Sequence, residues 1–184
     1  MKATEQLMAE HEGIKLMLGI LDSVSGRIES GQKLDVRDLQ HIVEFLQVFA
    51  DKCHHGKEED ILFPALVETG MPKDSGPIAV MLAEHEQGRG FIRGLADAVR
   101  RYGAGEAAAN AAMVKNARDY VKLLALHIQK ENTVLFPMAD ERLGARTQDA
   151  LLEQFERLEV ERIGVGKHEE FHRLLERLEK AYLG

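Results

Sequence analysis

The sequence predicts an all-α protein: an up-down-up-down four-helix bundle with an additional C-terminal helix. Three observations point there. Apolar residues recur with a 3.6-residue period through five long segments. Leu, Ala, Glu and Lys are plentiful, whereas aromatics are only 5 % and tryptophan is absent, which favours helix over sheet. The links between the segments are short, and short links between long amphipathic helices imply antiparallel neighbours.

Helix A is expected over roughly 4–29, ended by "ESGQK". Helix B starts after Leu34 with Asp35 as N-cap and runs to about Glu68, before "TGMPKDSGP". Helix C spans about Pro77 to Tyr102, with Pro77 suited to a first turn and "GAG" as the stop. Helix D covers about 106–143, closed by Gly144, and helix E about 147–183, with a bend expected near "GVG" at 164–166. No strand pattern competes.

At 184 residues, with 45 % apolar and 30 % charged residues, the chain is a soluble globular protein able to bury a real core. Its net charge of −7 and lack of a basic stripe argue against nucleic acid or an anionic membrane as partner. The single cysteine, Cys53, rules out an internal disulfide and suits a reducing compartment. No apolar run has the length of a signal peptide or a spanning helix, so the cytoplasm is the expected location.

One block occurs twice. "CHHGKEEDILFP" at 53–64 returns 73 positions later as "HIQKENTVLFP" at 127–137, with six of eleven aligned positions identical. Each copy holds His-x-x-x-Glu and then a proline inside an otherwise helical segment. Residues four apart on a helix differ by about 40°, so His54 and Glu58 share a face, as do His127 and Glu131. Those faces also carry Val43, Leu46, Ala50, Ile61 and Ala65 on B, and Leu123, Leu124, Val134 and Met138 on D. Both pairs therefore sit in the stripe that faces the core. A buried carboxylate costs several kcal/mol unless compensated, so two such pairs call for a cation.

Helices A and C add one inward histidine each. His11 shares its face with Leu7, Met8, Ile14 and Leu18, and His85 with Ile78, Met81, Leu82 and Ile92. His11 stands about 18 residues before the end of A and His54 about 19 after the start of B, so at about 1.5 Å per residue they meet at one height. Four helices thus bring His, His-x-x-x-Glu, His and His-x-x-x-Glu to one level. That set suits two metal ions bridged by carboxylates, and imidazole with carboxylate favours iron, manganese or zinc.

With "EHEG" around His11, "HHGKEEDILFP", "EHEQGR" around His85 and "HIQKENTVLFP" in this order, the chain resembles the hemerythrin-like, HHE cation-binding family over roughly residues 1–145. The resemblance implies a metal-binding bundle over 1–145, and the apolar period adds residues 146–184 as a C-terminal helix expected to pack on or cap it. It implies two iron ions joined by an oxo or hydroxo bridge, with manganese or zinc as alternatives. The implied ligands are His11, His54, Glu58, His85, His127 and Glu131. The implied function is to bind or turn over O2, NO or peroxide in oxidative or nitrosative stress. The alternatives are an oxygen, iron or redox sensing or storage module, and a structural zinc-binding bundle.

One position departs from the family pattern. The oxygen-carrying hemerythrins have a second histidine one turn after the first on the third helix, where this chain has Arg89. "GKHEEFHRLLERL" places His168 and His172 one turn apart in helix E, and His168 is expected to fold back and complete the site. His55 and Glu59 lie about 100° and 140° from His54 around the helix, and the second block has Ile128 and Asn132 there, so an outer or surface position is expected for both. His41 points to solvent, Cys53 packs between helices, and Tyr120 belongs to the core with its hydroxyl near the site.

Overall fold

The computed structural model describes residues 1–184. Six helices form: α1 (Ala3–Glu29), α2 (36–68), α3 (Gly76–Gly103), α4 (109–142), α5 (Ala145–Arg162) and α6 (Lys167–Tyr182). The first four make the bundle. Lys2, just before α1, pairs with Asp140 late in α4, and Glu29 at the end of α1 pairs with Arg118, so α1 and α4 run antiparallel. The Tyr102 hydroxyl, at the end of α3, accepts from the Leu34 N–H just before α2, which fixes α3 antiparallel to α2. Asp35 caps α2 as expected, its side chain accepting from the Arg37 N–H at 2.9 Å.

The C-terminal segment is two helices rather than one bent helix. Gly164 (φ +89°) and Gly166 (φ +82°) both adopt left-handed backbone, so α5 ends at Arg162 and α6 starts anew at Lys167. The pair packs against α1 and α2, burying Leu151, Phe155 and Leu158 from α5 and Phe171, Leu175, Leu178 and Tyr182 from α6. No helix is long and apolar enough to cross a membrane.

The core is divided in two. One part, from Ile14 through Ile28 on α1 with Phe45, Ile92, Leu124 and Ile128, takes in the α6 side chains. The other, around Leu7, Phe63, Met81 and Phe136, takes in those of α5. Between them every bundle helix carries a histidine: His11 follows Leu7, His54 follows Ala50, His85 follows Met81 and His127 follows Leu124. A polar layer splits the apolar interior.

Two bundle helices widen at that layer. In α2 the stretches Leu46–His55 and Glu58–Leu62 are π-helical, and in α4 so is Glu131–Leu135. The Phe63 N–H bonds back to the Glu58 carbonyl and the Phe136 N–H to that of Glu131, five residues away in each case. Pro64 and Pro137 follow directly. A proline ring clashes with the carbonyl four residues before it in α geometry, and a widened turn there relieves the clash. The repeated Leu-Phe-Pro thus marks a π turn rather than a simple kink or stop. Its phenylalanines close the layer: Phe136 stacks on His11 (centroids 5.5 Å, 9° between planes) and Phe63 on His85 (6.0 Å, 15°).

Phe155 and Leu178 are fully buried, so the C-terminal helices stabilise the bundle itself. Phe155→Ala is expected to cost about 3–5 kcal/mol and Leu178→Ala about 2–5 kcal/mol in urea unfolding followed by circular dichroism. A change under about 0.5 kcal/mol in both would show a loosely attached appendage.

Candidate metal centre

Six of the seven sequence-predicted residues meet at the polar layer: His11, His54, Glu58, His85, His127 and Glu131, each no more than 1 % exposed. They fall into two groups that share the carboxylates. Glu58 places one oxygen 3.5 Å from His54 Nε2 and the other 3.3 Å from His85 Nε2. Glu131 places one 3.2 Å from His11 Nε2 and the other 3.2 Å from His127 Nε2. The shared carboxylates define two adjacent positions.

His168 is not among them. α6 passes on the far side of Glu10, and His168 lies half-buried with Glu10 and Glu159, its ring 5.3 Å from Phe49 and 4.7 Å from His172. The left-handed turn at Gly164–Gly166 starts α6 along the groove beside α1 and α2 and keeps it out of the layer between them.

The additional imidazole is His55, for which regular α-helical spacing predicts an outward position. It is 3 % exposed, stacks on His85 with centroids 3.9 Å apart, and groups with Glu58, His85 and His127. A regular α-helix has 3.6 residues per turn, whereas His54 and His55 end a ten-residue π-helical stretch. A π turn holds more residues, so adjacent ones are separated by a smaller angle and both can face inward. His54 then joins the side of His11, and His55 the side of His85 and His127.

Each imidazole has its Nδ1 fixed from outside. Glu10 accepts from His54 at 2.8 Å, Glu59 from His85 at 2.6 Å, Glu84 from His127 at 2.9 Å and the Asn132 side-chain oxygen from His11 at 2.7 Å. Asp51 lies 3.3 Å from His55 Nδ1. Arg89 does not enter the layer; it donates to Asp51 and Glu59 at 2.8 Å each and holds both in place. Proton on Nδ1 leaves the Nε2 lone pair directed inward, the arrangement a metal-binding imidazole needs.

The inner atoms lack partners. Both oxygens of Glu58, both of Glu131 and Nε2 of His11 and His54 are buried without a hydrogen bond, the 3.2–3.5 Å approaches being poorly aimed. His85 and His127 turn Nε2 toward Nε2 at 3.1 Å, which repels unless a proton or a cation lies between. A divalent cation at each position would satisfy all of these atoms together, so the residues fit a pair of metal ions. The Tyr120 hydroxyl is also buried and unpartnered.

Without metal, protons must do that work. Burial lowers the proton affinity of His127, but the adjacent charge of Glu131 and the bond to Glu84 outweigh it and hold its pKa up at about 10. His54 and His85 are raised in the same way, against their own burial, by Glu58 together with Glu10 and Glu59 respectively. His55 goes the other way, pushed well below the usual value by burial and by the neighbouring imidazoles His85, His127 and His54. Burial likewise pushes the Cys53 thiol up to about 12, which makes it a packing residue rather than a reactive thiolate. For Glu10, burial raises the pKa, but His54 and Lys57 outweigh it and bring it to about 2.

Two of the acceptors were legible as Glu-His dipeptides, Glu10-His11 and Glu84-His85. Nothing in the sequence shows that each glutamate serves the histidine of the neighbouring helix rather than its own.

In metal-free protein, Glu10 contributes stability fully above its ordinary value of 4.5, and this is lost as pH falls through about 2. His127 contributes fully below 6.5, and this is lost as pH rises through about 10. His55, held well below 6.5, contributes fully above 6.5 and loses this as pH falls, so stability of the metal-free protein in urea unfolding should peak near pH 6.5 and decline on both sides. Metal must displace the His127 proton, so zinc affinity should rise about tenfold per pH unit for each proton expelled, read by competition with a chelator. His55→Ala should weaken retention of one ion at least tenfold, whereas His168→Ala should leave the metal content unchanged.

The family model described as hemerythrin HHE cation binding domain matches residues 2–139. Uncharacterized proteins of Mycobacterium bovis and Mycobacterium tuberculosis are 25 % identical over 162 residues, covering 88 % of this chain and 63 % of theirs. The chain therefore spans less than two thirds of the length of these relatives. No solved structure matches. With three quarters of its length under that family model and histidines and glutamates gathered in one buried layer, the chain belongs to the hemerythrin HHE cation-binding domain family.

Proposed function

We propose that this chain holds two iron ions and binds or turns over a small diatomic or peroxidic molecule, O2, NO or H2O2, in oxidative or nitrosative stress handling. The observation that carries the reading is the unequal division of the donors. His11 and His54 stand on one side, His55, His85 and His127 on the other, and each carboxylate offers one oxygen to each side. Two imidazoles thus face one position and three the other. A six-coordinate ion keeps more places free on the two-imidazole side, which is where a small molecule would be received.

The donor chemistry supports iron. Imidazole and carboxylate without thiolate suit iron, manganese or zinc, and paired carboxylates on facing bundle helices suit a two-metal site. Iron in both positions would supply one-electron redox steps to a small oxygen or nitrogen species. The chain's own residues do the remainder. Glu10, Glu59, Glu84 and Asn132 keep the imidazoles in one tautomer and one orientation. Phe136, stacked on His11, walls the two-imidazole side with apolar surface. All seven donors are at most 3 % exposed, so access favours molecules of two or three heavy atoms over larger substrates. The single buried thiol of Cys53 suits a reducing compartment, and we assign the protein to the cytoplasm on that ground.

Reconstitution with ferrous iron followed by metal analysis is expected to give about two ions per chain, and fewer than about 1.5 removes the two-metal reading. The iron-loaded protein should consume H2O2 or NO, and His54→Ala should slow this at least tenfold. A spectral change on gas binding without consumption would identify a carrier or sensor instead, and retention of zinc in preference to iron a structural bundle.

A further inference from the structure

One residue common to both copies of the repeated block faces no metal position: the lysine three places after the histidine, Lys57 and Lys130. The structure gives the two the same connections. Lys57 Nζ donates to Glu10 Oε1 at 2.5 Å, and Glu10 Oε2 accepts the Nδ1 proton of His54 at 2.8 Å. Lys130 Nζ donates to Glu84 Oε1, and Glu84 Oε2 accepts that of His127 at 2.9 Å. Each string leaves a helix at its lysine, crosses to the glutamate of the neighbouring Glu-His dipeptide and returns one turn earlier at the histidine. Two independent halves of the chain build the same three-residue device.

Their surroundings differ. Lys57 is fully buried; Glu159 of α5 accepts a second bond from it at 3.0 Å, and the Phe155 ring lies 5.9 Å from its ammonium. Lys130 is 42 % exposed. A buried charge is screened far less than one in contact with water.

We propose that Lys57 and Lys130 are positioning residues that set the donor strength of His54 and His127 through Glu10 and Glu84, with Lys57 the stronger. A carboxylate accepting an Nδ1 proton pushes electron density toward Nε2 and makes the imidazole a better donor. An ammonium on the other carboxylate oxygen draws that density back and pins the carboxylate toward the ring. Because Lys57 is buried and Lys130 is not, the two-imidazole side receives the weaker histidine of the pair. An ion there is biased toward its lower valence relative to its neighbour. This rests on the two-iron reading above for its redox consequence, though not for the hydrogen-bond string itself.

Two readouts test it. In zinc-loaded protein, nitrogen-15-edited NMR reports the Nδ1 protons of His54 and His127; in iron-loaded protein, redox titration reports the potential. Lys57→Met should move the His54 proton downfield. It should also lower the potential by about a tenfold change in the oxidised-to-reduced ratio, about 59 mV for one electron. Glu10→Gln should shift both readouts in the opposite sense, a sign reversal that a merely structural role would not produce. Lys130→Met should move the His127 proton the same way as Lys57→Met moves that of His54, by less. Wild-type values for both readouts in Lys57→Met overturn the proposal. Should Lys57→Met fail to fold, Lys130→Met decides, and an unshifted His127 proton overturns it. Wild-type protein that takes up no redox-active metal pair would refute the two-iron reading instead, and the Nδ1 protons of the metal-free protein then decide on the string.

Discussion

Two carboxylates buried in the middle of an apolar bundle are the constraint on which the rest of this structure depends. Glu58 and Glu131 are fully buried, with all four oxygens free of hydrogen bonds. Removing such charges from water costs several kcal/mol each, so positive charge must be supplied within the same layer. Five imidazoles surround them, and outside these stand the groups that keep each Nδ1 engaged. Protons can neutralise the layer in the metal-free state, but only a pair of cations would satisfy every inward lone pair together. The division of the apolar core into two parts follows from this layer.

The layer has approximate two-fold symmetry. His11 and His85, on the Glu-His helices, donate their outer bonds to the residue just after each inward glutamate, Asn132 and Glu59. His54 and His127 donate theirs to the glutamates of those dipeptides, Glu10 accepting from His54 and Glu84 from His127. The symmetry fails at one pair of aligned positions, where His55 faces the layer and Ile128 packs in the apolar core. That single difference separates a three-imidazole side from a two-imidazole side. A repeat builds the frame, and its imperfection creates the inequality on which the proposed chemistry depends.

The C-terminal helices act on the site from a distance. They seal the α1–α2 side, adding side chains to both parts of the core, and Glu159 reaches the layer only through Lys57 and Glu10. A buried lysine is tolerated here because two carboxylates from two other helices meet it, the condition under which a buried charge persists. α5 therefore belongs to the electrostatics of His54 without contributing a donor.

Much of this was legible in the sequence because it depends on regular helix geometry. A 3.6-residue period placed His11, His54, Glu58, His85, His127 and Glu131 on core-facing stripes, and residue counting along antiparallel helices brought them to one level. His55 was illegible because that period fails locally: a π-helical stretch narrows the angle between neighbours, and nothing in "CHHGKEED" shows it. The prolines were visible as helix breakers, but their pairing with widened turns was not. His168 looked inward on sequence, yet the glycines at 164 and 166 divide the last segment and send α6 along the outside. Local periodicity and spacing by themselves determined the bundle, its level of histidines and its carboxylates. Only the tertiary structure decided which imidazole faces which side and which glutamate holds which ring, because those depend on helix winding and on contacts between helices far apart in the chain.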